Sequence, residues 1–116
     1  MVSLNREAFA HAKHLVRQGR VVRDERDDWS EHQPSADDEN TFIDHNDYAT
    51  YGEWHLGVDP SSATDTKQRY SFPYGDFEKV HRCAVISLES RAAQNDHPDI
   101  AKAAKQLLDL IDESAD

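Results

Sequence analysis

The sequence has only one cysteine and no long apolar run, and each of these facts excludes some classes of protein. Cys83 cannot form an internal disulfide, and no CxxC or Cys/His zinc-finger spacing is present. The sequence contains no run of eighteen or more apolar residues, the length that a membrane-spanning helix needs. The N-terminal residues lack the charged, apolar and small-residue regions of a signal peptide. A cytoplasmic location is therefore expected, with no membrane partner.

Glycine is also scarce, with four in 116 residues, so the usual phosphate-binding loops cannot be built. The GxGxxG, P-loop, GxSxG, HExxH and EF-hand patterns are all absent. The sequence therefore lacks the motifs on which the familiar enzyme mechanisms depend. The sequence favours a non-enzymatic protein without deciding the question, and no cofactor is predicted.

Acidic residues are abundant: 23 acids stand against 13 bases, for a formal net charge of −10. This charge repels phosphate and anionic lipid, so nucleic acid is not expected to bind. An unidentified protein with a basic surface is the partner that the charge favours.

The residue patterns predict an α+β fold in a single domain, residues 1–116. We expect an N-terminal helix, then a long acidic loop over residues 20–46 with Asn40 capping a short turn, and a two-stranded antiparallel hairpin. A C-terminal helical hairpin follows, with residues 113–116 frayed. The carboxylates of "DERDDW" in the loop are expected to be solvated.

Apolar spacing identifies the individual elements. A helical stripe runs along residues 3–18, and "NDHPDIAKAAKQLLDLIDE" forms a second, clearer helix behind a proline suited to the first turn. "EWHLGVD" and "KQRYSF" alternate as half-buried strands, with Trp54 and Leu56 inward and His55 outward.

The stretch "YSFPYGDFEKVHRC" is predicted to be a strand-to-helix corner. Pro73 ends the strand, and Asp76 caps a helix that starts at residue 77. At helical spacing His81 lies on the apolar side and needs a partner, while Cys83 points away from it and serves in packing. His81 is either a core histidine bonded to backbone or to an acid of the loop, or a general base or ligand beside Tyr74, Asp76 and Arg82.

One polar line on the first helix has the spacing of a metal site. Glu7, His11 and His14 are four and three residues apart, which brings their side chains together on an α-helix. The alternative interpretation is that these three residues form an ordinary polar stripe along the helix and bind no metal. These three residues are weak candidates for metal ligands, and no other metal site is predicted.

Several blocks of this sequence resemble a family of short uncharacterised bacterial proteins that carry them in the same order. The blocks include "WSEHQPS", "YGEWHLGVD" and "FPYGDFEKVHR", and the resemblance covers residues 14–112. A shorter pattern at Phe72, Pro73, Asp76, His81 and Ala84 is similar to small phage-derived proteins. Neither resemblance implies a catalytic activity or site residues.

Three functional hypotheses follow. The first is a non-enzymatic binding or accessory module whose aromatic corner contacts another protein. The second is an acidic decoy of a basic or nucleic-acid-binding partner. The third is a small enzyme or metal site centred on His81. The residues predicted to bind are Trp54, Tyr70, Tyr74, Asp76, His81 and Arg82.

Overall fold

The chain folds into helices and short strands in a computed structural model that describes residues 1–25 and 28–113. The helices of this described part are α1 (Arg6–Arg17), α2 (Trp29–His32), α3 (Ala36–His45), α4 (Tyr48–Gly52), α5 (Arg82–Gln94) and α6 (Pro98–Glu113). Its strands are β1 (Ser3–Leu4), β2 (Val21–Val22), β3 (His55–Val58), β4 (Tyr70–Pro73) and β5 (Val80–His81).

The predicted N-terminal helix is present as α1, but it begins at Arg6 and not at residue 3, because Ser3 and Leu4 form β1. The Asn5 side chain accepts a hydrogen bond from the Ala8 amide and so satisfies a free donor of the first turn. The chain leaves the helix at Gly19, whose φ of 77° suits a residue without a side chain. The predicted apolar stripe is buried, at Ala8, Ala12, Leu15 and Val16.

The predicted antiparallel hairpin is formed by β3 and β4. It is not two-stranded, because β1 pairs with the other edge of β3 in a sheet of order β1-β3-β4. His55 is also not outward-facing: it is 3% exposed, and its ring contacts Tyr51 of α4. Burial lowers the pKa of His55 to about 4, so this side chain is a neutral part of the core.

The prediction of an irregular loop over residues 20–46 is wrong. This segment contains β2, α2 and α3, and β2 pairs in parallel with β5. A capping box explains α3: the Ser35 hydroxyl accepts from the Asp38 amide, and the Asp38 carboxylate accepts from the Ser35 amide. Asn40 lies inside α3 and caps nothing, contrary to the prediction. Three acids in the first turn of α3 also favour the helix, because its N-terminus carries partial positive charge.

The predicted helix start at residue 77 is also wrong, because α5 begins at Arg82. Phe77 has a φ of 71°, in the left-handed region that a helix interior excludes. The Asp76 carboxylate accepts from the amides of Glu78 and Lys79 in a turn, and does not cap a helix. Gly75 and Val80 then bridge across this turn as an antiparallel pair.

The C-terminal helical hairpin is confirmed, with α5 packed against α6. The apolar stripe predicted for α6 is buried, at Ile100, Ala103, Ala104, Leu107 and Ile111. Glu113 is still part of α6, and residues 114–116 of the predicted frayed end lie outside the described residues. The whole is a compact α+β globule, and no helix in its described part is long and apolar enough to cross a membrane.

Candidate functional site

His81 lies at a junction of three segments of the chain. It ends β5, its neighbour Arg82 begins α5, and its ring is held between two carboxylates. Nδ1 of His81 is 2.8 Å from Oδ2 of Asp24, and Nε2 is 2.7 Å from Oδ2 of Asp76. The other oxygen of Asp24 accepts the Cys83 amide at 2.8 Å, so Asp24 caps α5 from a distant part of the sequence. We call Asp24, His81 and Asp76 the histidine bridge.

The two short contacts define the protonation state of the ring. Both carboxylates are acceptors, so both ring nitrogens must donate, and only the imidazolium has two N–H groups. Burial lowers the pKa of His81, but the hydrogen bonds to Asp76 and Asp24 outweigh burial and hold it above the ordinary value of 6.5. In this state His81 has no free lone pair, so it cannot act as a general base.

The pKa values of the two carboxylates are lowered, whereas the pKa of His81 is raised. Burial raises the pKa of Asp24, but hydrogen bonds from Cys83 and His81 outweigh this, and the net pKa lies below 3.8. The pKa of Asp76 is lowered in the same way, by His81 and the amides of Lys79 and Glu78. The side chains of His81 and Asp24 are only 5% and 7% exposed, so solvent screens their attraction little.

These directions define the pH range in which the histidine bridge stabilises the fold. The contribution from His81 is complete below pH 6.5 and is lost as the pH rises through the raised pKa of the folded state. The contributions from Asp24 and Asp76 are complete above pH 3.8 and are lost as the pH falls through their lowered values. The bridge is therefore strongest between pH 3.8 and pH 6.5, and weakens on both sides.

A thiol and two aromatic rings surround the histidine bridge. The rings of Trp29 and His32 each lie 5.5 Å from the His81 ring, and His32 is stacked on it. Cys83 packs with Trp29 and Ala84 in a small buried cluster. The predicted separation of Cys83 from His81 is wrong, because His81 is not in the helix: ligand atoms of Asp24, His81 and Cys83 all lie within 4.8 Å of one another. Burial, with the Asp24 and Asp28 charges, raises the pKa of the Cys83 thiol to about 12.

A groove opens beside this cluster, between α2 and α5. Its volume is about 540 Å³, and its lining includes hydroxyl, amide and apolar side chains. Its lining residues from α5 share one face of that helix. They are Cys83, Ile86, Ser87, Ser90, Arg91 and Gln94, opposite Trp29, Ser30 and Gln33.

The aromatic residues predicted to contact a partner are mostly inside the protein. Trp54 is 5% exposed and Tyr74 is 0% exposed, and their rings are stacked at 5.6 Å. The Tyr74 hydroxyl donates to the Glu53 carbonyl at 2.7 Å, so Nδ1 of His11 donates to that hydroxyl at 2.8 Å. Neither Trp54 nor Tyr74 can reach a partner without rearrangement of the core.

The other predicted residues lie in three different environments. Tyr70 is half-buried, with its ring 6.1 Å from that of Tyr51. Arg82 points to α6, where its Nε is 3.0 Å from Oδ1 of Asp112. His81 and Asp76 belong to the histidine bridge. The structure thus forms two pairs, His81 with Asp76 and Trp54 with Tyr74, and does not bring the six predicted residues together at one surface.

The polar line of α1 does not gather into a cluster of possible ligands. Glu7 and His14 are exposed, whereas His11 turns inward to Tyr74 and Trp54. Among the described residues, only Asp24, His81 and Cys83 bring three possible metal-ligand atoms together.

The sequence allowed an acid of residues 20–46 as a partner of His81 but did not identify Asp24, the residue that completes the site. The carboxylates around it were expected to be solvated, but its own side chain is buried and fully hydrogen-bonded. Asp24 is 57 residues from His81 in sequence, and no local pattern connects them. The one available signal was the need of a buried histidine for an acidic partner.

The acidic charge is concentrated in one folded part of the chain. Residues 28–66 contain ten acidic residues and neither lysine nor arginine, while the rest of the chain contains 13 acids and 13 bases. Residues 28–66 therefore carry the whole formal charge of −10, and we call them the acidic segment. Its exposed acids are Glu31, Asp37, Asp38, Asp44, Asp47 and Asp65.

Comparisons of the chain with protein-family models, with curated proteins and with solved structures find no match. The resemblance to short bacterial proteins and the shorter phage-like pattern therefore stay predictions.

Proposed function

We propose that this protein is a non-enzymatic binding module that contacts a basic protein surface through its acidic segment. The observation that carries the proposal is the concentration of the whole net charge in residues 28–66. Such a field attracts a basic partner and repels nucleic acid and anionic lipid. The proposed location is the cytoplasm, where a single reduced cysteine is ordinary.

Order in the acidic segment supports the proposal. Charges on a flexible loop lose entropy on binding, whereas charges on short helices are already positioned. Asp37 and Asp44 are seven residues apart on α3 and so lie on one side of it. Lys67 pairs with Glu39 at 3.1 Å and ties α3 to the residues after the segment. The alternative function, an acidic decoy of a basic or nucleic-acid-binding partner, uses the same surface.

The proposal is tested by neutralising acids inside and outside the segment in equal number. The triple variant Glu31→Gln, Asp37→Asn, Asp44→Asn changes exposed acids of α2 and α3. At about 0.5 kcal/mol for each exposed charge contact, we expect about tenfold weaker binding of a lysine-rich peptide at low ionic strength. Fluorescence anisotropy of the labelled peptide measures the affinity.

The matched control removes three exposed acids elsewhere, with Asp96→Asn, Asp109→Asn and Glu113→Gln. Its net charge is the same as that of the test variant, so we expect it to bind the peptide close to wild-type affinity. Equal loss in both triple variants would mean that binding follows net charge alone. That result, or no binding by the wild type, would contradict the proposal.

A further inference from the structure

Asp24, His81 and Cys83 present three different kinds of ligand atom to one point. A carboxylate oxygen, an imidazole nitrogen and a thiol sulfur lie within 4.8 Å of one another, and all three side chains are largely buried. Ligand atoms that share a tetrahedral zinc ion lie roughly 3.3–3.7 Å apart, from zinc bond lengths of about 2.0–2.3 Å. Small side-chain movements would therefore bring these atoms to bonding distance of one ion.

We propose that Asp24, His81 and Cys83 bind a divalent transition-metal ion, with zinc as the best-fitting ion. This site is independent of the acidic segment, and its failure would leave the proposed function untouched. Mixed nitrogen, oxygen and sulfur ligands suit zinc, whereas calcium and magnesium require oxygen ligands. A water molecule from the adjoining groove supplies the fourth ligand, since Cys83 is one of the residues that line it.

Asp76 gives the site the supporting carboxylate that histidine ligands usually have. Its Oδ2 accepts Nε2–H of His81 at 2.7 Å, which leaves Nδ1 for the metal. The second oxygen of Asp24 stays bonded to the Cys83 amide and so keeps that carboxylate oriented. Asp76 is a positioning residue in this site, and Asp24, His81 and Cys83 are its ligands.

Metal binding exchanges protons for the ion. In the metal-free protein Nδ1 of His81 carries a proton that it donates to Asp24, and Cys83 is a thiol. Binding forms metal–nitrogen, metal–sulfur and metal–oxygen bonds and releases the Nδ1 proton and the thiol proton to solvent. Asp24 is already ionised and releases none. Each ion bound therefore displaces two protons from the protein.

Cobalt titration of protein freed of metal by a chelator tests the site. We expect a thiolate-to-cobalt charge-transfer band in the near ultraviolet, d–d bands typical of four ligands, and loss of both when zinc is added. Cys83→Ser should abolish the charge-transfer band and weaken zinc binding at least tenfold. Asp76→Asn should keep the band and weaken binding about 10–100-fold. A chromophoric zinc chelator in competition measures both affinities.

The control variant is His14→Gln, which changes an exposed histidine of α1 and should bind zinc as the wild type does. Circular dichroism checks that each variant is folded. Unchanged affinity in Cys83→Ser, or wild-type protein without a charge-transfer band, would overturn the proposal. Loss of binding in His14→Gln would place the metal on α1 and overturn it as well.

Discussion

Asp24→Ala is expected to lower the free energy of unfolding by about 3–5 kcal/mol, the usual cost of removing one partner from a buried ion pair. The substitution leaves the His81 imidazolium with Asp76 alone and leaves the Cys83 amide without its acceptor. It also removes a contact between α5 and the segment after β2, in which Asp24 lies. Urea denaturation at pH 6, followed by circular dichroism, measures the loss.

Asp109→Ala is the matched control for that variant. It removes the same charge from an exposed position of α6, where a change within about 0.5 kcal/mol is expected. A loss for Asp24→Ala no larger than that of the control would show that the histidine bridge adds nothing to stability.

Leu107→Ala is expected to destabilise the fold by about 2–5 kcal/mol, the range for truncating a fully buried leucine. Leu107 is 0% exposed on the buried stripe of α6, and it belongs to the main core together with Leu88 of α5 and Trp54. The cavity left behind would loosen the packing of the helical hairpin. The same urea denaturation experiment measures the effect.

Lys105→Ala is the control on the same helix, because Lys105 is exposed and alanine keeps high helix propensity. We expect little change in its unfolding free energy. Equal small effects of Leu107→Ala and Lys105→Ala would contradict the assignment of this stripe to the core.

The helices with clear apolar stripes were predictable from local sequence. In α1 and α6 the buried positions repeat at helical spacing, and Gly19 and Pro98 mark a helix end and a helix start. The hairpin was predictable as well, from two alternating runs joined by turn-forming residues. In each case the signal lies within one short stretch of chain.

The acidic helix α3 could not be recognised by apolar spacing, because none of its residues is buried. Its evidence was a capping signal, Ser35 followed three residues later by Asp38. Tertiary contact anchors it, since the Phe42 ring stacks on Phe77 with centroids 4.3 Å apart. Residue 77 was itself misplaced in a helix, so this contact could not be foreseen.

The site was predictable only in part, for a similar reason. His81 was recognised as a residue in need of a partner, and Asp76 was named beside it. The position of Cys83 relative to His81 was predicted wrongly. α5 starts at Arg82, five residues later than predicted, so Cys83 is in the helix and His81 is not. Asp24 comes from a segment assigned to a loop, and only the parallel pairing of β2 with β5 brings it to His81.

The histidine bridge, which joins the segment after β2 to α5, depends on the charge state of His81. Nitrogen-15 NMR of the histidine side chains over a range of pH measures it directly. We predict that both ring nitrogens of His81 are protonated at pH 6.5, with a pKa above the ordinary value of 6.5. A ring that titrates at or below 6.5, with one unprotonated nitrogen, would contradict the bridge between Asp24 and Asp76.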